Sequence, residues 1–332
     1  MLHSVISFYK FVKINNPKKL RKSLLDILLN EDVVGTFLIA KEGINATVSG
    51  SDISLKKIMK FLDKQKGFND IEYKHSCSIK RVFKRLKIKV KDEIVALGKK
   101  EIDPSKTTRN YIEPRNWNKL IADPDVLLID TRNTYEIKIG TFLGAENPNI
   151  KNFRDFPNFV KKKLNSKKNQ KIAMFCTGGI RCEKASSYLI KHKFKNVFQL
   201  KGGIIQYAHQ IKEQKIESKF KGKNFVFDDR LGERITEDIL SDCHQCEKSC
   251  DNHTNCANDA CHLLFIQCYK CKKIYKGCCS KECYEIIKLP IEKQRKLRKE
   301  SPDIAAPLIH HYRDRLKPKL KEMNAKKNNA SQ

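Results

Sequence analysis

No stretch of the 332-residue chain approaches the roughly 20 consecutive apolar residues that a membrane-spanning helix requires. Met1–Lys13 lacks a basic segment followed by a long apolar run, so no secretory leader is expected. No glycine-rich motif for a nucleotide cofactor and no internal repeat is evident. Cysteine is sparse along most of the chain: of 13, only Cys77, Cys176 and Cys182 lie outside the segment Cys243–Cys283. Acidic residues are few, with Asp+Glu 38 against Lys+Arg 68 and a formal net charge of +30. These absences argue against a membrane-embedded or secreted protein and lead to the expectation of a cytoplasmic one. There thiols stay reduced and serve as metal ligands or reactive groups before they serve as disulfides. The shortage of negative charge points to a polyanionic partner, nucleic acid first; drift toward Lys and Asn gives the same balance without a function. At 40% apolar residues the chain has enough for real cores, and its length suits two or three domains.

Residues 1–105 read as alternating short strands and helices. Ser4–Ile14 is β-leaning, and Pro17 opens a helix with Leu20, Leu24, Ile27 and Leu28 at helical spacing. Val33–Ala40 and Ile44–Val48 look like two strands joined through Lys41-Glu42-Gly43. Leu55, Ile58, Met59 and Leu62 mark a second helix, and Leu86–Val90 a final strand. The order βαββαβ suits a ferredoxin-like, acylphosphatase-like α/β sandwich. In residues 106–222, Val126–Ile129 runs into Asp130-Thr131-Arg132, and Lys171–Phe175 delivers Cys176. Strands alternating with helices imply a parallel sheet, whose functional loops sit at the carboxyl ends of strands, where Asp130 and Cys176 fall. Residues 223–287 hold a cysteine-rich module. Residues 288–332 form a basic tail, expected to contain one or two helices and a disordered end.

The segment Cys176-Thr177-Gly178-Gly179-Ile180-Arg181 places a cysteine at a strand end, before a glycine turn and a helix. Backbone N–H groups and the positive end of the helix then point at the sulfur and stabilise thiolate. Arg181 adds a fixed positive charge. Phosphatases with a cysteine nucleophile carry one residue more between cysteine and arginine, which widens the cradle for a phosphate. The shorter loop fits a single added atom, such as the outer sulfur of a persulfide. Cys182 is either a resolving thiol for Cys176 or a residue of the helix core. Asp130 and Arg132 are expected to form a buried ion pair beside the loop.

The motifs Asp130-Thr131-Arg132-Asn133-Thr134-Tyr135-Glu136, Gly140-Thr141-Phe142, Gly144-Ala145 and Met174–Ala185 resemble the TrhO subfamily of rhodanese-like proteins. So do Glu42–Gly50 and Phe225-Val226-Phe227-Asp228-Asp229-Arg230. The resemblance implies a ferredoxin-like domain, a rhodanese domain and a C-terminal segment. It also implies an oxygen-dependent tRNA hydroxylase that makes 5-hydroxyuridine at the wobble position of the anticodon, with molecular oxygen as co-substrate. Cys176 takes the position of the family's essential cysteine, and Arg181, Asp130 and Arg132 stand around it. Rival readings are a sulfurtransferase passing persulfide sulfur from Cys176 and a non-catalytic RNA-binding adaptor.

Cys243-x2-Cys246 and Cys268-x2-Cys271 are two knuckles with the spacing of a zinc ribbon. Cys256, Cys261, Cys278 and Cys283 are the expected second ligand set. Structural zinc is the expected metal, with an iron–sulfur cluster as the alternative. For an RNA substrate, Lys41, Asn45 and Ser49 offer a lip over the site, and Thr177, Gly178 and Gly179 line it. Backbone contacts are expected from Lys84 and Arg85 with Lys80, Arg81, Lys87 and Lys89, from Lys161–Lys163, and from Arg295–Lys299. Phe83, Tyr111 and Trp117 are candidate stacking residues.

Overall fold

The computed structural model describes residues 3–107 and 110–300. The tail beyond residue 300 and its expected disordered end lie outside the described residues. The described chain divides into two compact units. The first comprises Met1–Arg132, Gly144–Glu217 and Phe227–Arg230, and the second Asn133–Leu143, Ser218–Val226 and Leu231 onward.

The first unit opens with β1 (His3–Phe11), α1 (Pro17–Leu28), β2 (Val33–Ala40), β3 (Gly43–Gly50), α2 (Asp52–Asp63), β4 (Lys74–Ser78) and β5 (Leu86–Val90). Asn16 caps α1 by accepting from the Lys19 N–H, and Ser51 caps α2 in the same way from Ser54, so both helices start where polar side chains satisfy their first amides. Leu20, Leu24 and Leu28 of α1 join Leu55, Ile58 and Leu62 of α2 over the apolar face of the sheet. The sheet order is β4-β1-β3-β2-β5, so the ferredoxin-like arrangement is present.

Its fourth strand is not the expected one. Lys74–Ser78 pairs antiparallel with β1 at one edge, whereas Leu86–Val90 is an added fifth strand parallel to β2. Lys-His-Ser-Cys-Ser carries no apolar alternation, because an edge strand needs backbone pairing on one side only. Periodicity therefore passes over it.

The chain continues through β6 (Asn110–Ile112), α3 (Pro114–Ile121), β7 (Val126–Asp130), α4 (Thr134–Ile137), β8 (Gly140–Phe142), α5 (Phe156–Phe159), β9 (Lys171–Phe175), α6 (Ile180–Lys191), β10 (Asn196–Leu200) and α7 (Gly203–Glu213). A parallel sheet of order β6-β10-β9-β7 puts β9 inside, flanked on both sides. Ile172, Ala173, Met174 and Phe175 are accordingly all fully buried.

The second unit takes α4 and β8 from within the span read as one domain. Phe142 of β8 pairs with Phe220 of β11 (Phe220–Asn224), which also pairs with β12 (Glu233–Arg234). A hairpin of β13 (His253–Asn255) and β14 (Leu264–Ile266) follows, then α8 (Tyr269–Tyr275), α9 (Lys281–Lys288) and α10 (Ile291–Glu300). Tyr135, Ile139, Phe225, Leu264 and Ile266 form its core together with Cys243, Cys250 and Cys271.

Candidate active site

Cys176 stands at the carboxyl end of β9 and is fully buried. The following turn reverses the chain into α6 through Gly179, at φ +98°, a conformation that L side chains rarely adopt. The Gly179 N–H donates to Cys176 Sγ at 3.1 Å. Support comes from the start of α7, where the Ile204 N–H donates to the Cys176 carbonyl at 3.0 Å and the Ile205 N–H to the Thr177 carbonyl at 3.1 Å. Gly203 sits at φ +68°, and a Cβ there would lie 2.6 Å from the Cys176 carbonyl oxygen and 2.7 Å from the Gly179 nitrogen. Glycine alone lets α7 approach this closely.

Burial pushes the Cys176 thiol up, but other groups overcome it: the Cys182 thiol as hydrogen-bond donor, the Arg181 charge, and the N–H groups of Cys182 and Arg181. Together they bring the thiol down to about 5. Cys182 moves the opposite way, because burial and its bond to Cys176 hold its proton well above the ordinary thiol range. Cys176 carries the charge and Cys182 supplies a donor. The guanidinium of Arg181 donates to Thr177 Oγ1 at 3.4 Å and stands 5.8 Å from the centre of the half-exposed Phe227 ring.

Asp130 and Arg132 form the expected buried ion pair, with Arg132 Nη2 2.6 Å from Asp130 Oδ2 and Nε 2.9 Å from Oδ1. Arg132 also lies over the Phe175 ring, 5.9 Å from its centre, and the Thr131 N–H donates to the Phe175 carbonyl at 3.0 Å. The pair thus braces the strand that delivers the thiol.

Two polar clusters around the loop escape sequence reasoning. Glu183, 4% exposed, accepts from the hydroxyls of Tyr9 and Tyr111, each at 3.0 Å, and from the Gln199 amide at 3.1 Å. Tyr9 arrives from β1, and its hydroxyl occupies the place a Cβ on Gly179 would need, 2.8 Å away. Burial first, then the charges of Glu183 and Cys176, hold the Tyr9 hydroxyl well above its ordinary value. The second cluster is Lys184, fully buried, paired with Glu42 at 2.9 Å and Glu93 at 2.5 Å. Burial raises the Glu93 carboxyl, but Lys184 and the Leu97 and Gly98 N–H groups outweigh it and lower it. The available signal was the run Arg181-Cys182-Glu183-Lys184. Four consecutive polar or ionisable residues, all buried, mean a helix enclosed on every side.

Of the proposed RNA-facing residues, Lys41, Lys84 and Arg85 are exposed, as are Lys80, Arg81, Lys87, Lys89 and Lys161–Lys163. In α10, Arg295, Lys296 and Arg298 are exposed, and the Lys299 side chain lies outside the described residues. Thr177 and Gly178 are half-buried, and Gly179 is buried under Tyr9. Asn45 instead donates to the Ile94 carbonyl at 3.2 Å. Ser49 leaves the set: it lies on the sheet face of Asn45 and Thr47, opposite the core-facing Ile44, Ala46 and Val48, but is covered there to 1% exposure between its strand neighbours Val5 and Val34. Trp117 leaves it too: it is fully buried, edge-on to Phe175 at 6.3 Å between ring centres. Tyr111 keeps 45% of its surface while its hydroxyl serves Glu183.

Two thiol clusters occupy the second unit. Cys243, Cys246, Cys268 and Cys271 form one, and Cys256, Cys261, Cys279 and Cys283 the other, with the ligand atoms of each within 4.8 Å of one another. A tetrahedron with metal–sulfur bonds of about 2.3 Å has edges of about 3.8 Å. The pairs Cys246–Cys268 and Cys261–Cys279 at 3.6 Å, and Cys279–Cys283 at 3.7 Å, fit that figure. Sulfurs this close suit one shared ion, not four irons of a cluster. Backbone N–H groups of Cys268 and Cys279 donate to Cys243 and Cys256 Sγ at 3.3 and 3.4 Å, as thiolate ligands favour.

The fourth thiol of the second cluster is Cys279, in place of the expected Cys278. Cys279 lies just outside α9, before its N-cap Ser280, and its Sγ stands 3.7 Å from that of Cys283 in the first turn of the helix. Cys278 is fully buried in the same core as Leu263 and Phe265 and is not one of the four clustered thiols. All 13 cysteines are free thiols, and among the described residues no helix is long and apolar enough to cross a membrane.

A loop thiolate on a parallel sheet, a ferredoxin-like domain whose Tyr9 covers that loop, and a module with two four-thiol clusters together define a rhodanese-like protein. Family models agree: an acylphosphatase-like domain of the UPF0176 type matches residues 3–94, a rhodanese-like domain 114–210, and a rhodanese C-terminal module 221–284. The chain is 41% identical over 321 residues to the tRNA uridine(34) hydroxylase of Photorhabdus laumondii, covering 96% of this chain and 91% of that protein. The corresponding protein of Leptospira interrogans is 42% identical, covering 89% and 81%, and that of Picosynechococcus 48% identical, covering 68% and 76%. The chain belongs to the tRNA uridine(34) hydroxylase family.

Proposed function

We propose that this protein hydroxylates C5 of the wobble uridine of tRNA, with Cys176 as the essential thiol. The observation that carries the reading is the coincidence of whole-chain similarity to tRNA uridine(34) hydroxylases with a thiol lowered to about 5 in a loop built to hold an anion. The net charge of +30 and the exposed lysines and arginines of β5 and its approach suit the anticodon stem-loop. The uridine must leave its stack to reach a buried sulfur.

Cys176 thiolate adds to C6 of the uracil ring, which moves an electron pair toward C5 and the C4 carbonyl. C5 then attacks the outer oxygen of a hydroperoxide, the two-electron reduction product of molecular oxygen. The O–O bond breaks and the other oxygen leaves as water, C5 gives up its proton, and the C6–S bond breaks to return the Cys176 thiolate. Overall one atom of molecular oxygen enters the C–H bond and the other becomes water, with two electrons and two protons from a donor. Arg181 and the loop N–H groups hold the thiolate at the start and receive it again at the end. The metal module would hold two ions in the sets Cys243, Cys246, Cys268, Cys271 and Cys256, Cys261, Cys279, Cys283. Such ions shape a small module and take no part in the reaction.

The test uses cells that lack their own hydroxylase and express the wild-type chain or Cys176→Ala, with tRNA nucleosides quantified by mass spectrometry. Wild type restores 5-hydroxyuridine and Cys176→Ala does not. Normal product from Cys176→Ala would sink the covalent role. A chain that turns over thiosulfate and cyanide yet leaves uridine unmodified would be a sulfurtransferase.

A further inference from the structure

Lys74 is half-buried in β4, and its ammonium lies 5.1 Å from the centre of the Tyr9 ring. Tyr9 runs from there to the thiol loop, its hydroxyl committed to Glu183 and seated against Gly179. Among the described residues the Lys74 ammonium has no hydrogen-bond or ion-pair partner. The contrast with Lys184 is direct, since that buried lysine holds two carboxylates. The ammonium is not among the buried polar atoms sealed from solvent, so its three donors stay open to an acceptor that a ligand brings. Burial lowers the Lys74 ammonium, against the opposing charges of Glu72, Cys176 and Glu183. A cation with open donors, resting on the tyrosine that covers the Gly179 turn of the thiol loop, is placed to meet a ligand held at that loop.

We propose that Lys74 is a substrate-binding residue that donates a hydrogen bond to the C4 carbonyl of the uracil held at Cys176. This rests on the uridine hydroxylase reading. The surrounding charge selects the acceptor. Thiolate at Cys176 and carboxylate at Glu183 face the same ammonium, so a phosphate entering here meets two anions, whereas a carbonyl enters neutral. Addition of the thiolate at C6 sends charge to that carbonyl, where a fixed cation is worth most. Cytosine carries an amino group at C4, which presents donors to a donor. Lys74 thereby also supplies discrimination between the two pyrimidines.

The experiment measures binding of the purified full-length chain to anticodon stem-loops that differ only in carrying uridine or cytidine at the wobble position. It compares wild type, Lys74→Met, Lys74→Gln and Lys74→Arg. Wild type prefers uridine by at least about tenfold, the worth of one good hydrogen bond to a charged donor. Lys74→Met and Lys74→Gln lose most of that preference by weakening the uridine stem-loop alone, and Lys74→Arg keeps part of it. The thermal midpoint of Lys74→Met holds, since no hydrogen bond or ion pair of the ammonium is lost, whereas a residue of purely structural use would lower it. A preference retained in Lys74→Met overturns the inference, and so does an equal loss of affinity for both stem-loops, which marks a phosphate contact. Because the readout is binding, it decides on Lys74 even if the wild-type chain makes no 5-hydroxyuridine, a result that would defeat the hydroxylase reading instead.

Discussion

At the scale of single residues, the chemistry rests on one proton. With Cys176 lowered to about 5, the thiolate fraction is close to complete at neutral pH and falls only as the pH drops through that value. Alkylation of Cys176 by iodoacetamide, followed by peptide mass spectrometry, should titrate with a midpoint near 5. Slow absolute rates are expected, because the residue is buried. Arg181→Met removes a cation that favours the thiolate, so its midpoint should move upward and 5-hydroxyuridine formation should fall by about 10²-fold, the scale set by losing one preorganised charge. An unchanged midpoint in Arg181→Met would remove Arg181 from the electrostatics of the thiol. Cys176, Arg181 and the Asp130–Arg132 pair were legible because strand end, glycine turn and arginine are contiguous in the chain. Tyr9 and Lys74 were not, because nothing local to Tyr9 separates it from any other strand aromatic, and Tyr111 was legible as a ring but not as a donor to Glu183.

Among the secondary-structure elements, the loop is held by a contact that tolerates no side chain. Gly203→Ala places a methyl group 2.6 Å from the Cys176 carbonyl oxygen at a positive φ. The strain costs about 1–3 kcal/mol, to be read as a lowered thermal midpoint together with reduced 5-hydroxyuridine. The start of α6 offers a second case. Lys184→Met leaves Glu42 and Glu93 facing each other without their cation, and removing one partner of a buried pair costs ~3–5 kcal/mol. Glu42 keeps 22% of its side-chain surface, so the measured loss in a denaturant titration should fall at or below the lower end of that range. A loss within experimental error would show that these carboxylates find water instead. β4 teaches the limit of pattern reading, since Lys74–Ser78 carries a candidate binding residue on a strand that periodicity passes over.

For the molecule as a whole, composition and metal content make the remaining prediction. Elemental analysis of the purified chain should find two zinc ions, and chelation should unfold the cysteine-rich module. Cys279→Ser should lose one ion, whereas Cys278→Ser should keep both at the cost of a worse-packed core. Loss of an ion from Cys278→Ser but not from Cys279→Ser would restore the ligand set read from spacing alone. The chain by itself determined the thiol, its loop, the two helices over the first sheet and the first metal knuckle pair, because each depends on residues close in sequence. Tertiary structure alone decided which of two adjacent cysteines joins the second thiol cluster, that Ser49 and Trp117 are buried, and that Asn133–Leu143 packs with the second unit. It also brought Tyr9 and Lys74 to the thiol. These outcomes depend on which side of an element faces which neighbour, and that is settled by packing between segments far apart in the chain.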